Sequence, residues 1–69
     1  MLIRSQDKRR LYILENLISI TITQGTVNAF GDEIGSYKNE EHAMRVLNEI
    51  QYAYVEGYKL FRMPQENEV

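Results

Sequence analysis

The sequence predicts one small α+β domain: an antiparallel β-sheet of four to six short strands with a single amphipathic α-helix packed on one face. Three observations lead there. Ile18, Ile20 and Ile22 alternate with Ser19, Thr21 and Thr23, a period of two in β-branched residues that sends isoleucines to one face of a strand and hydroxyls to the other. Ala43, Val46, Leu47, Ile50 and Tyr54 recur at three- and four-residue spacings, which gathers them on one side of a helix. The other apolar runs, Leu11 to Leu14 among them, are of strand length and too short for further helices.

Taken in chain order, Leu2 to Arg4 reads as a first short strand and Ser5 to Arg10 as a polar loop. Leu11 to Leu14 is the second strand, and Glu15-Asn16 bends or bulges the chain after it. The isoleucine strand ends at Gln24-Gly25, where glycine supplies the positive φ of a two-residue hairpin turn. Thr26 to Phe30 returns, Gly31-Asp32 turns again, and Glu33 to Tyr37 forms a further strand. Asn39 can accept from the unpaired amides of the first helical turn, and Glu40 and Glu41 place negative charge at the positive end of the helix dipole. The helix is expected over Glu40 to Glu56, stopped by Gly57 in a left-handed conformation. Tyr58 to Met63 is the last strand, closed by Pro64. Residues 1–64 thus make one domain, and residues 65–69 a polar tail expected to fray.

The 69 residues leave room for one core, and a chain this short buries only about 60% of the surface its unfolded form exposes. Domains of this size usually gain stability from disulfides, a metal or a partner subunit. Cysteine is absent and His42 is the one histidine, so neither a disulfide nor a metal site is expected, and no cofactor either. A homo-oligomer is the remaining supplement. An uncovered sheet edge, which invites pairing with another chain, points the same way. No stretch reaches the roughly 18 apolar residues of a membrane span, and the opening residues lack the apolar core of a signal peptide. The expectation is a cytoplasmic protein.

Net charge is only −2, yet its distribution is uneven. Residues 1–10 hold four bases, Arg4, Lys8, Arg9 and Arg10, against Asp7, a net of +3; the rest hold four bases against nine acids, a net of −5. The loop from Arg4 to Arg10 is therefore a local positive feature on an acidic body. Arginine offers a planar fork for phosphate or carboxylate, Ser5 and Gln6 donate hydrogen bonds, and loop amides can cradle an anion. Asp7 can accept from a ribose hydroxyl or hold one arginine in place. The same residues also read as a solvated turn in which Asp7 caps its own backbone. Both readings stand.

Five tyrosines are many for this length. Tyr54 and Tyr12 read as core and Tyr52 and Tyr58 as amphipathic surface, whereas Tyr37, where a strand meets the helix cap, is the candidate to stack on a ligand. His42 falls in the first helical turn, off the apolar stripe, and reads as exposed. Acid pairs occur at Asp32-Glu33 and Glu40-Glu41, but sequence neighbours rarely converge on one substrate. No glycine-rich phosphate loop, paired metal ligands or cysteine nucleophile is present, and catalysis is not expected.

Ile3-Arg4-Ser5-Gln6-Asp7-Lys8 with Leu11, the block Ile34-Gly35-Ser36-Tyr37 followed by Glu41, Ala43, Val46-Leu47 and Glu49-Ile50, and the closing Met63-Pro64 together resemble a family of short proteins from Gram-positive bacteria and their phages and prophages. The likeness spans nearly the whole chain. It departs at Leu2, where an aromatic is common, and at Leu14-Glu15-Asn16, which replaces a more asparagine-rich turn. Most members of that family have no assigned activity, so the resemblance implies a context and not a chemistry.

Within that context the leading expectation is a small non-enzymatic binding protein that sequesters an anionic, nucleotide-derived small molecule. The analogy is with small oligomeric phage proteins that act as sponges for a host immune signal. Arg4, Lys8 and Arg9 would hold phosphates, Ser5, Gln6 and Asp7 would contact ribose or base, and Tyr37 would stack. The alternative is an inhibitor or adaptor that docks exposed tyrosines and the acidic helix face on a host protein. Nucleic acid is the weaker fit, because four clustered bases on an acidic body make a local site and not a tracking groove.

Overall fold

The computed structural model describes residues 1–14 and 18–69. Its elements are β1 (Leu2–Arg4), β2 (Leu11–Ile13), β3 (Ile20–Thr23), β4 (Thr26–Ala29), β5 (Asp32–Ser36), α1 (Glu40–Val55) and β6 (Leu60–Arg62), followed by one 3₁₀ turn, Glu66–Glu68. The class is α+β, as the alternation of Ile20 and Ile22 and the periodicity of the helix foretell. The expected bend at Glu15-Asn16 lies outside the described residues.

The strands divide into two three-stranded sheets, ordered β2-β1-β6 and β3-β4-β5. The second is an antiparallel meander. Its first turn has φ of 51° at Gln24 and 80° at Gly25, the paired positive values that a two-residue hairpin of matching twist requires. Gly25 is also where the hairpin meets the helix. Its amide donates to Glu40 Oε1 at 2.6 Å and its carbonyl accepts from the Tyr37 amide at 2.9 Å. A Cβ there would lie 2.8 Å from the Tyr37 carbonyl oxygen, so glycine is needed for space as well as for φ. The second turn falls on Phe30-Gly31, one residue before the expected Gly31-Asp32, with Phe30 itself at φ 58°. Phe30 sits there stacked on Tyr12, ring centroids 5.2 Å apart.

The first sheet is mixed. β2 runs antiparallel to β1, but β6 runs parallel to it, in the register Leu2↔Leu60, Ile3↔Phe61 and Arg4↔Arg62. Nearly the whole chain is the crossover between the two parallel strands. Alternation then sorts their side chains: Ile3 points into the core, and Leu2 and Arg4 point away from it.

Asn39 caps α1 as expected, its Oδ1 accepting from the His42 amide at 2.8 Å. The buried helical residues are Ala43, Val46, Ile50 and Ala53, and they join Ile3, Val27, Ala29, Ile34, Tyr37 and Met63 as the buried apolar residues. Tyr54, expected on the core face, is exposed instead. The stripe runs in steps of three, four and three and so reaches position 53, where a small side chain lets the end of the helix approach the sheets. Tyr12 is half-buried at the edge of the core.

The segment read as a frayed tail is tied down. Gln65 Nε2 donates to the Gln6 carbonyl at 2.8 Å, Glu66 Oε1 lies 2.8 Å from His42 Nδ1 and accepts from the Lys38 amide, and Val69 packs against the core. The partners come from the first loop and the helix start, so nothing in the local sequence announces them. No helix among the described residues is long and apolar enough to cross a membrane.

Candidate functional site

The loop after β1 is shaped by its own polar side chains. The Ser5 hydroxyl donates to Asp7 Oδ1 and accepts from the Arg10 amide at 3.1 Å. Asp7 Oδ1 also accepts from the Arg9 amide at 2.9 Å, and Oδ2 pairs with Arg10 Nη2 at 3.3 Å. The Ser5 hydroxyl and the Arg9 amide hold the Asp7 carboxyl below its usual range. The side chain of Arg10 continues to the Tyr12 hydroxyl, which donates to Asp32. This set closes the turn and leaves Lys8 at φ 67°, a strained conformation for a residue with a Cβ.

Gln6 is the stitch between three segments. Its Oε1 accepts from the Ser36 amide at 2.8 Å and its Nε2 donates to the Pro64 carbonyl at 3.3 Å. Its backbone amide donates to the Ile34 carbonyl at 2.9 Å. That carbonyl is available because the β4–β5 register slips at this point: Val27 faces Gly35, but Asn28 faces Glu33, which leaves Ile34 without a partner in the ladder. The bulge re-aims one carbonyl at the first loop.

Ser5 is 1% exposed and Tyr37 is 7% exposed, with the Tyr37 hydroxyl donating to the Pro64 carbonyl at 2.8 Å. Burial, with Glu49 nearby, pushes the Tyr37 phenol well above its ordinary range. Its ring is a piece of the core, not a platform for a ligand. Of the seven expected site residues, then, Ser5, Gln6, Asp7 and Tyr37 are engaged in holding the fold. Arg9 projects into solvent and does not line the hollows described next. Arg4 and Lys8 remain.

Those two meet a residue that sequence reasoning missed. The β1–β6 register sets Arg62 directly beside Arg4 on the face turned from the core, and neighbouring strands lie only about 4.8 Å apart. Like charges side by side in a sheet are unfavourable. None of Arg4, Lys8 and Arg62 is ion-paired with a described residue; Arg4 donates one hydrogen bond, from Nη1 to the Lys8 carbonyl at 3.0 Å. Two adjoining hollows of about 320 Å³ each open between them. Arg4, Ser5, Lys8, Leu60, Arg62 and Met63 line one; Lys8, Arg62, Met63, Pro64, Gln65 and Glu68 line the other. The hollows lie at the carboxyl ends of the parallel strands, and Arg4, Lys8 and Arg62 are all exposed there; three unpaired cations around one hollow offer charge-assisted donors to a phosphate or carboxylate group. Alternation along Leu60-Phe61-Arg62-Met63 would have shown that Arg62 faces away from Phe61, but not that it lies against Arg4.

Beside the arginines on the same face, the register carries a second row: Ile13, Leu2 and Leu60, with Leu11 next to Arg4. Leu11 and Ile13 are exposed on β2, an edge strand. No known protein family, curated protein or solved structure matches the chain.

Proposed function

We propose that this chain is a small binding protein whose Arg4–Arg62–Lys8 corner captures an anionic, nucleotide-derived small molecule and holds it without converting it. The single observation that carries the reading is the parallel register that sets Arg4 and Arg62 side by side, neither of them ion-paired with a described residue. Like charges on neighbouring strands cost stability in the empty protein, and a bound phosphate offsets that cost. The proposal includes the phage or prophage setting expected from the Ile3–Lys8 and Ile34–Ile50 stretches, in which such capture would act as a sponge for a host immune signal. Self-association through the exposed edge of β2 completes the picture, since Leu11 and Ile13 there are apolar and the outer backbone groups of an edge strand are unpaired.

The test is a thermal-shift panel of nucleotides, cyclic dinucleotides and ADP-ribose derivatives at low and physiological salt, with the captured compound recovered and weighed afterwards. A ligand that binds only the folded state raises Tm. The expected result is a rise of several degrees with one class, kept at physiological salt, and a compound recovered unchanged. A flat panel overturns the reading. If the protein then co-purifies with a host protein through Leu11 and Ile13, the exposed apolar edge of β2 is an inhibitor or adaptor surface instead.

A further inference from the structure

A larger hollow, about 460 Å³, lies on the other side of Arg62, between the second half of α1 and β6. Asn48, Glu49, Tyr52, Ala53, Tyr58 and Phe61 form its walls, and it shares Arg62 and Pro64 with the cationic hollows. The three hollows thus adjoin around Arg62 and Pro64 at the edge strand β6, this one on the side of the helix and the cationic pair on the side of Arg4. The two sides differ in character. One is aromatic with an acid and an amide in its lining; the other carries Arg4, Lys8 and Arg62 against one acid, Glu68.

We propose that the tyrosine-walled end is a base subsite, so that the ligand is a nucleotide lying across Arg62 with its base between the helix and β6 and its phosphates on Arg62, Arg4 and Lys8. This rests on the reading of the cationic corner as an anion site. Tyr52 and Tyr58 meet edge to face, centroids 6.3 Å apart and planes at 83°, and both line the hollow. They are 60% and 52% exposed, large aromatic surfaces that a flat ligand would take out of water. Ala53 is the small residue that gives the hollow depth. Charge sets the ligand's direction: Glu49 repels phosphate from the aromatic end while the three cations draw it to the other.

Glu49 also sets a preference among bases. An ionised carboxylate only accepts hydrogen bonds, and it accepts two at once from adjacent donors. Guanine presents N1–H and an amino group side by side on one edge, whereas adenine presents an amino group beside a ring acceptor. Asn48, with both a donor and acceptor, serves the remaining edge atoms. A guanine nucleotide is therefore the favoured class.

Tyrosine fluorescence reads the subsite directly, because the chain has five tyrosines and no tryptophan. The wild-type protein is titrated with inorganic pyrophosphate, GDP and ADP. GDP is expected to bind at least about tenfold more tightly than pyrophosphate, the contribution of one stacked base, and to quench tyrosine emission, with ADP in between. The double variant Tyr52→Ala/Tyr58→Ala is expected to bring GDP down to the pyrophosphate level and leave pyrophosphate binding and Tm unchanged, while Tyr52→Phe/Tyr58→Phe keeps the gain. Glu49→Gln narrows the gap between GDP and ADP. Equal binding of GDP and pyrophosphate without quenching overturns the base subsite and leaves the anion site standing. Equal loss of both ligands in the double alanine variant overturns it too, since the tyrosines would then be structural. A dimer in sedimentation that the same variant dissolves would place a second copy in the hollow and overturn it as well. Binding of neither probe to the wild type overturns the anion site and the subsite together.

Discussion

Ser5, Gln6 and Asp7 turn their side-chain donors and acceptors into the protein, onto the Arg10, Arg9 and Ser36 amides and the Pro64 carbonyl. Arg4 and Lys8, from the same stretch of chain, join Arg62 around open hollows and form no ion pair with a described residue. The two groups are interleaved in sequence and separate in space. A charged turn of this kind is neither wholly a ligand site nor wholly a solvated turn. The polar residues with short side chains give the turn its shape, and that shape presents the long basic ones.

Removing each group should therefore have opposite signatures. The largest effect expected is on binding. Arg4→Ala with Arg62→Ala removes two charge-assisted contacts, each contributing about 1.5–3 kcal/mol, so affinity for pyrophosphate should fall by about 100-fold or more in calorimetric titration. The Tm of the empty double variant should hold or rise, because the like-charge pair is gone. A fall in Tm as large as that of the turn variants below would erase the distinction between the two regions.

Next in size is the effect of Gln6→Leu on stability. It leaves the Ser36 amide without its acceptor and removes the weaker of two hydrogen bonds to the Pro64 carbonyl, which keeps that from Tyr37, and about 2 kcal/mol should be lost in urea unfolding. Ser5→Ala, which leaves the Arg10 amide without its acceptor, should cost about 1–2 kcal/mol. Pyrophosphate affinity measured well below the melting range should change little in either.

Tyr37 sharpens the comparison from the core side. Tyr37→Phe loses the bond to the Pro64 carbonyl and about 1 kcal/mol near neutral pH. Its phenol has a raised pKa in the folded state, so its stabilising contribution is complete below the ordinary tyrosine pKa of about 10 and is lost as pH rises beyond it. Tyr37→Phe should remove that part of the alkaline loss of stability, and GDP should still quench Tyr52 and Tyr58 in it.

The smallest effect belongs to Asp7, which is exposed. Its pKa is lowered in the folded state, so its contribution is complete above the ordinary aspartate value of about 3.9 and fades as pH falls through the folded value. Unfolding followed from pH 6 to pH 2 should show a slightly shallower acid limb in Asp7→Asn than in wild type.

Much of the fold was legible because its signals are local. The Asn39 cap, the Gln24-Gly25 turn and the alternation of Ile20 and Ile22 each depend on residues within a few positions of one another. The candidate site was legible only in half. Arg4 and Lys8 announce themselves by charge density, but Arg62 joins them through a parallel pairing between opposite ends of the chain, which no spacing in the sequence encodes. Tyr37 was misplaced for a related reason. Whether a tyrosine at a strand end lies in or out is decided by what packs over it, here Met63, Pro64 and Gly35, whose missing Cβ leaves room for the ring. Tyr52 and Tyr58 read correctly as surface, yet their meeting depends on how the helix ends over β6.

The most direct test of the central claim uses the arginines themselves. Their Nε–H resonances can be followed by NMR while pyrophosphate is added at physiological salt. Arg10 and Arg45 are paired with Asp7 and Glu41, whereas Arg4 and Arg62 form no ion pair with a described residue. Saturable shifts are expected at Arg4 and Arg62, with Arg10 and Arg45 unmoved. Equal small shifts at all five arginines, or shifts centred on Arg10, would contradict it.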